Sequence, residues 1–316
     1  MKTLYPAIEP FHTFFLETQS QHAVYVEQCG NPQGLPVIFL HGGPCSGCKP
    51  DHRRFFDPEL YHIVLFDQRG CGRSLPFGEL EANNTADLID DMECIRRRLG
   101  IPQWVLFAGS WGGTLGLLYA QAHPDAVSAM IIRGVFLARQ RDLEWFAKDG
   151  AGRIYPEQWQ RLVSSLPNAS GDDLIQQLND ALWGDDEVTR LRAAKEWMAW
   201  GGQVALGNDF RPSVQHTVDT VQLIKQARME IHYAVNRYFI EENQILDNCE
   251  ALSDIPTVII HGRYDLVCPV EAALQLQEAL PQAELMILPN GGHIAQGEAM
   301  INALIDSTDT MARRLA

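Results

Sequence analysis

Ser110 lies in the run Ala108-Gly109-Ser110-Trp111-Gly112-Gly113, between an apolar segment at 105–108 and a helix-forming segment at 114–120. A serine between small residues at a strand-to-helix turn has the layout of a nucleophile elbow. The turn is too tight for bulky neighbours and lifts the hydroxyl clear of the sheet. A strict Gly-x-Ser-x-Gly spacing is altered at its first position, where Ala108 is still small enough to keep the turn. A hydroxyl needs a histidine to take its proton and a carboxylate to orient that histidine. The late part of the chain offers both. Asp265 follows an apolar strand in His261-Gly262-Arg263-Tyr264-Asp265, and His293 follows the next one in Pro289-Asn290-Gly291-Gly292-His293. We therefore expect Ser110 as nucleophile, His293 as base and Asp265 as orienting acid. Asp254 precedes its strand and is the weaker acid, while His261 and His41 end strands and are read as structural. Negative charge developing on a substrate oxygen needs backbone donors. The Trp111 amide opens the elbow helix and supplies one. The loop His41-Gly42-Gly43-Pro44 supplies the second, with the Gly43 amide favoured over that of Gly42.

These residues must be held by the elements around them. Short apolar runs predict strands at 22–28, 36–40, 61–66, 104–108, 126–135, 256–260 and 284–288. Helices are expected at 85–99, capped by Thr85, at 114–120 and at 270–280. Unbroken apolar strands alternating with helices imply a mainly parallel sheet covered on both faces. From about Leu137 to Cys249 the pattern turns helical and tryptophan-rich, with helices expected at 156–166, 172–183, 189–200 and 224–237. The reading is one α/β domain, 1–137 and 250–316, carrying a helical cap at 138–249. Such an insertion would sit over the carboxyl ends of the strands, where open α/β sheets bind ligands.

Bulk properties exclude other classes. The chain has 316 residues, is 46% hydrophobic, and carries a formal charge of −15. That balance argues against nucleic-acid or anionic-lipid partners. The densest basic run, Arg96-Arg97-Arg98, ends a helix, where positive charge suits the helix dipole. No apolar run approaches 18 residues and the first residues lack a leader-like segment, so the expectation is a cytoplasmic protein with no membrane partner. The cysteines (Cys29, Cys45, Cys48, Cys71, Cys94, Cys249, Cys268) are odd in number and scattered, unlike a disulfide scaffold. Cys45 and Cys48 have the spacing of a redox dithiol or half a zinc site, but no second pair completes a metal site. Gly70-Cys71-Gly72-Arg73-Ser74 lacks the third glycine and the helix of a nucleotide loop. No cofactor or metal is expected.

Taken together, HGGP at 41–44, DQRGCGRS at 67–74, GSWGG at 109–113, ARMEIHY at 227–233, HGRYD at 261–265 with CP at 268–269, and GGH at 291–293 resemble the proline iminopeptidases, or prolyl aminopeptidases, of the α/β-hydrolase superfamily. The resemblance spans nearly the whole chain. It implies an α/β-hydrolase fold with an inserted helical cap, and an enzyme that removes N-terminal proline from peptides. The family's catalytic roles fall on Ser110, Asp265 and His293, and its oxyanion donors on Gly43 and Trp111. Two cap glutamates of the family hold the substrate's charged imino group, and one falls on Glu230. The chain departs from the family at the other. The pattern Trp-x-x-Trp-Glu-Gly reads here Trp197-Met198-Ala199-Trp200-Gly201-Gly202, so Gly201 replaces a glutamate. Glu196, five positions upstream, faces another side of a helix. A single carboxylate implies weaker binding of the amine, and leaves an esterase or amidase on the same triad as the alternative. The expected partners are small peptides or small amide or ester substrates.

Overall fold

A computed structural model describes residues 1–167, 173–211 and 219–316. Eight strands form one sheet: β1 (His12–Glu17), β2 (Ala23–Gly30), β3 (Leu35–Leu40), β4 (Tyr61–Phe66), β5 (Trp104–Ser110), β6 (Val127–Val135), β7 (Thr257–Gly262) and β8 (Glu284–Leu288). Their order is β1-β2-β4-β3-β5-β6-β7-β8. β1 and β2 join antiparallel, and every pairing from β4–β3 to β7–β8 is parallel. Parallel strands end on one edge. The loops after β3, β5, β7 and β8 therefore share that edge, and these loops carry the candidate residues.

The helices are α1 (Thr85–Arg98), α2 (Trp111–Ala122), α3 (Gln140–Glu144), α4 (Pro156–Ser164), α5 (Leu174–Trp183), α6 (Glu187–Leu206), α7 (Thr220–Val235), α8 (Gln244–Asp247), α9 (Val270–Ala279) and α10 (Glu298–Leu315). The sheet is covered on both faces because its strands alternate between two cores. Ile38 and Leu40 face the layer holding Leu88 and Met92 of α1 and Leu115 of α2. Val37 and Phe39 face the layer holding Phe55 and, from α10, Leu304 and Met311.

α3 to α7 fall between β6 and β7 in the chain. Leu162, Leu178, Trp197, Trp200 and Ile231 form a separate apolar cluster among these helices. Asp186 caps α6 by accepting from the Val188 and Thr189 amides, and Asp219 caps α7 by accepting from those of Val221 and Gln222. The expected start of α5 at Asp172 lies outside the described residues, and α6 runs longer at both ends than 189–200. One expectation is corrected: Asn84, not Thr85, caps α1. The Asn84 side chain accepts from the Asp87 amide while Asp87 reaches back to the Asn84 amide. The Thr85 hydroxyl donates instead to the Tyr238 carbonyl. Among the described residues no helix is long and apolar enough to cross a membrane.

Candidate active site

Ser110 ends β5 with φ 57° and ψ −131°. A non-glycine residue holds such angles only where its surroundings impose them. Here the imposition comes from close packing of α2 against β3: a Cβ on Gly112 would stand 2.2 Å from the Leu40 carbonyl oxygen. The strained turn projects the hydroxyl past the strand end. There the Ser110 Oγ lies 3.1 Å from His293 Nε2, and His293 Nδ1 lies 2.8 Å from Asp265 Oδ2. The other carboxylate oxygen of Asp265 accepts from the Val267 amide at 3.0 Å and the Cys268 amide at 2.8 Å. Burial opposes charge on Asp265. The His293 ring, its hydrogen bond, the His261 ring and the Cys268 amide outweigh that and hold the carboxyl below its ordinary range. The acid therefore stays ionised and fixes the ring with Nε2 free to accept from Ser110.

The loop at 41–44 runs against the serine: a Cβ at Gly42 would sit 3.4 Å from the Ser110 Cβ. His41 anchors this loop. Its Nε2 accepts from the Gln68 amide at 3.0 Å, so Nδ1 carries the hydrogen and donates to the Gly42 carbonyl at 2.9 Å. Gln68 also accepts from the Trp111 indole at 2.9 Å, tying the loop after β4 to the first residue of α2. Gly43 lines the space above Ser110, and the Trp111 amide opens the helix beside it. His261 is likewise structural. Its Nδ1 accepts from the Val135 amide at 3.1 Å and its Nε2 donates to the Cys268 carbonyl at 2.8 Å. Asp254 is exposed in the turn before β7, at the opposite end of that strand from the site.

Two connected spaces meet at Ser110. The smaller, about 90 Å³, is lined by Phe136, Phe146, Trp197, Tyr238 and Cys268 and by two acids, Glu230 and Asp142, the latter paired with Arg139 at 2.9 Å. The larger, about 610 Å³, runs past Gly201 and Glu230 and out beside His293. Glu230 Oε2 accepts from the Trp197 indole at 2.8 Å and Oε1 from Gln226 at 3.3 Å. Burial pushes its carboxyl up to about 7 despite these donors. Gly201 faces open space, with nothing within 4 Å of a Cβ placed there. Glu196 does not fill that space; it pairs with Arg161 of α4 at 2.9 Å.

Sequence reasoning missed several supporting residues. Arg133, on β6, lies against Gly109 and donates to the His293 carbonyl, so it braces the loop that carries His293. Asp67 accepts from the Cys48 amide at 2.7 Å and from the Arg73 side chain at 2.7 Å, joining the loops after β3 and β4. The Cys268 thiol reaches Ser110, and burial drives it well above the ordinary thiol range, so it stays protonated. The position of Cys268 three residues after Asp265 was its one sequence signal. The Cys45 and Cys48 thiols are free and donate to different carbonyls, those of Gly70 and Phe66. Burial raises Cys48 well above the ordinary range, unlike the depressed thiol of a redox pair.

Comparison with known proteins places this geometry. The sequence model of the alpha/beta hydrolase fold matches residues 36–299. A proline iminopeptidase of Xylella fastidiosa is 45% identical over 98% of this chain and 99% of its own length. One from Arabidopsis thaliana is 42% identical over 98% of this chain and 82% of its own. Among solved structures, an esterase from Exiguobacterium antarcticum superposes with a TM-score of 0.59 at 19% identity, covering 96% of this chain and 98% of its own, a likeness of fold alone. A serine–histidine–aspartate chain at the strand ends of a parallel sheet, on a sequence this close to those relatives, means that the chain belongs to the proline iminopeptidase family of the α/β hydrolases.

Proposed function

We propose that the chain is a serine aminopeptidase that releases N-terminal proline from peptides. Ser110 is the nucleophile, His293 the general base, Asp265 its orienting acid, the Gly43 and Trp111 amides the oxyanion donors, and Glu230 the ligand of the substrate's imino group. Residues 138–249 act as the cap that selects the substrate. The observation that carries this reading is the hydrogen-bonded chain Asp265–His293–Ser110 beside a small aromatic pocket lined by the carboxyl of Glu230, which has no cationic partner among the described residues. Such a pocket suits a compact apolar ring bearing a cation.

His293 Nε2 takes the Ser110 proton as Oγ attacks the prolyl carbonyl. Charge on the carbonyl oxygen falls to the two amides. His293 then gives the proton to the leaving nitrogen, the C–N bond breaks and a prolyl ester remains on Ser110. Water, deprotonated by the same ring, releases proline. Glu230 acts before the chemistry: an ammonium beside it favours its ionised form and anchors the ring so that the carbonyl meets Ser110.

The esterase alternative is not favoured. Relatives at 42–45% identity carry the proline iminopeptidase name, whereas the esterase shares only the fold at 19%. Glu230 also keeps a ligand for an amine. Prolyl-naphthylamide is expected to be cleaved, and N-acetylprolyl-naphthylamide, which lacks the cation, is not. Ser110→Ala should lower kcat by about 10⁴-fold or more. Equal rates on the free and acetylated substrates would overturn the amine reading.

A further inference from the structure

The space around Ser110 is electrically polarised. Its acyl end holds Glu230. Lys49, His52, Arg133 and the segment 293–296 line the larger space and do not line the smaller one. His293 hands its proton to the leaving nitrogen, so the departing fragment lies on this second side. Glu230 is the single acid among the residues lining the larger space.

The cations at this end lack carboxylate partners among the described residues. Lys49 is exposed, and Asp51, two residues on, pairs instead with Arg54 at 2.9 Å. Arg133 donates to a backbone carbonyl, and the acid whose charge it feels, Asp265, is engaged by His293. His52 lies in the field of both cations. Its Nδ1 accepts from the Lys49 amide at 3.1 Å and its ring stacks on Phe39 with centroids 4.3 Å apart. Burial, reinforced by His41, Lys49 and Arg133, pushes its imidazolium down to about 4. The ring is thus neutral at pH 7, with its hydrogen on Nε2.

We propose that this end is a carboxylate subsite in which Lys49, with the His52 Nε2–H and the field of Arg133, holds the free α-carboxylate of the leaving fragment, so that di- and tripeptides are the preferred substrates. The proposal rests on the prolyl aminopeptidase reading. A short peptide is a zwitterion, and Glu230 reaches the smaller space that the cations do not line, so acid and cations together align the substrate in the productive direction. A long chain or a neutral amide gains nothing from the cationic end.

The test compares kcat/KM for Pro-Ala, Pro-Ala-amide and prolyl-naphthylamide in the wild type, Lys49→Met, Lys49→Arg and Lys49→Glu. The wild type is expected to prefer Pro-Ala over its amide by about fivefold, less at high salt. Lys49→Met should remove that preference, Lys49→Arg restore it and Lys49→Glu invert it, each read as the ratio of Pro-Ala to Pro-Ala-amide within one variant. Turnover with no preference for Pro-Ala in the wild type, or a preference that survives in Lys49→Met, overturns the subsite and leaves the prolyl reading standing. No turnover of any of the three overturns both.

Discussion

Glu230 is a carboxylate placed where burial opposes its charge, and two pH effects of opposite use follow. In the proposed role the ionised form holds the substrate's ammonium, and burial pushes the carboxyl up to about 7. KM for prolyl substrates is therefore expected to rise as pH falls below about 7, and Glu230→Gln should flatten that limb while weakening binding. Stability runs the other way. A carboxyl raised from its ordinary 4.5 to about 7 binds a proton in the native state that the unfolded chain has released. Its contribution is full below 4.5 and is lost as pH rises through 7. Glu230→Gln, neutral at every pH, should then raise Tm by about 2–4 °C at pH 8 and give no gain at pH 4. Thermal scans at both pH values check this, and equal shifts at the two would refute it. The position of Glu230 was legible in Met229-Glu230-Ile231-His232-Tyr233 through the family likeness. Its protonation was not, because that depends on Trp197, on Gln226 and on the depth of the pocket.

Between elements, the contact that sets the elbow is α2 against β3. The Cβ of Gly112→Ala would meet the Leu40 carbonyl oxygen, backbone that cannot swing aside, at 2.2 Å. At Gly113 the nearest atom is the Ile132 Cγ2, at 3.2 Å, a side-chain methyl that can yield. Gly112→Ala is expected to destabilise by about 3 kcal/mol and to lower kcat by displacing Ser110, whereas Gly113→Ala should cost less than about 1.5 kcal/mol. Urea denaturation of the two variants separates them, and equal costs would show that α2 is free to shift. Strands were legible where they carry an apolar run. β4 is buried at every position and β8 keeps the run Leu285–Leu288 although only Leu288 is buried, and the predicted bounds match both. β1 was missed because four of its six residues are exposed and its apolar run, Phe14-Phe15-Leu16, is only three residues long. α10 was missed although Met300, Leu304 and Met311 cover one sheet face, since its opposite side is polar and no cap side chain marks its start. The hydrogen-bonded set Ser110, His293 and Asp265 was legible because each stands at or just past the end of a strand. The bracing by Arg133 and Asp67 was not, because both act across chain-distant loops.

Across the molecule, Ser110, Asp265 and His293 stand at or just past strand ends of the sheet while Glu230 and Gly201 stand on helices between β6 and β7, so on the proposed roles specificity can change without touching catalysis. Gly201 stands where the family resemblance implies a second glutamate. It lies one helical turn after Trp197, whose indole holds Glu230, and it lines the same space as Glu230. A Cβ placed there meets no atom within 4 Å, and the space beyond it is the larger cavity. Gly201→Glu should therefore fold without repacking, and glutamate is the better helix former at an interior position of α6. A second carboxylate facing the imino group adds one charge-assisted hydrogen bond, which at about 1.5 kcal/mol corresponds to a KM about tenfold lower for prolyl substrates. The gain must be selective to mean what is claimed. With Ser110, His293 and Asp265 untouched, the rate at which a serine-directed phosphonate labels Ser110 should stay within twofold of the wild type. The new acid also faces Glu230, and two carboxylates without a cation between them repel. The same variant should thus be less stable at pH 8 without substrate and recover when free proline is added. Steady-state kinetics with thermal scans in the presence and absence of proline check both halves. A KM unchanged at every pH would mean that Gly201 lies beyond reach of the imino group and that Glu230 alone sets amine affinity in this enzyme.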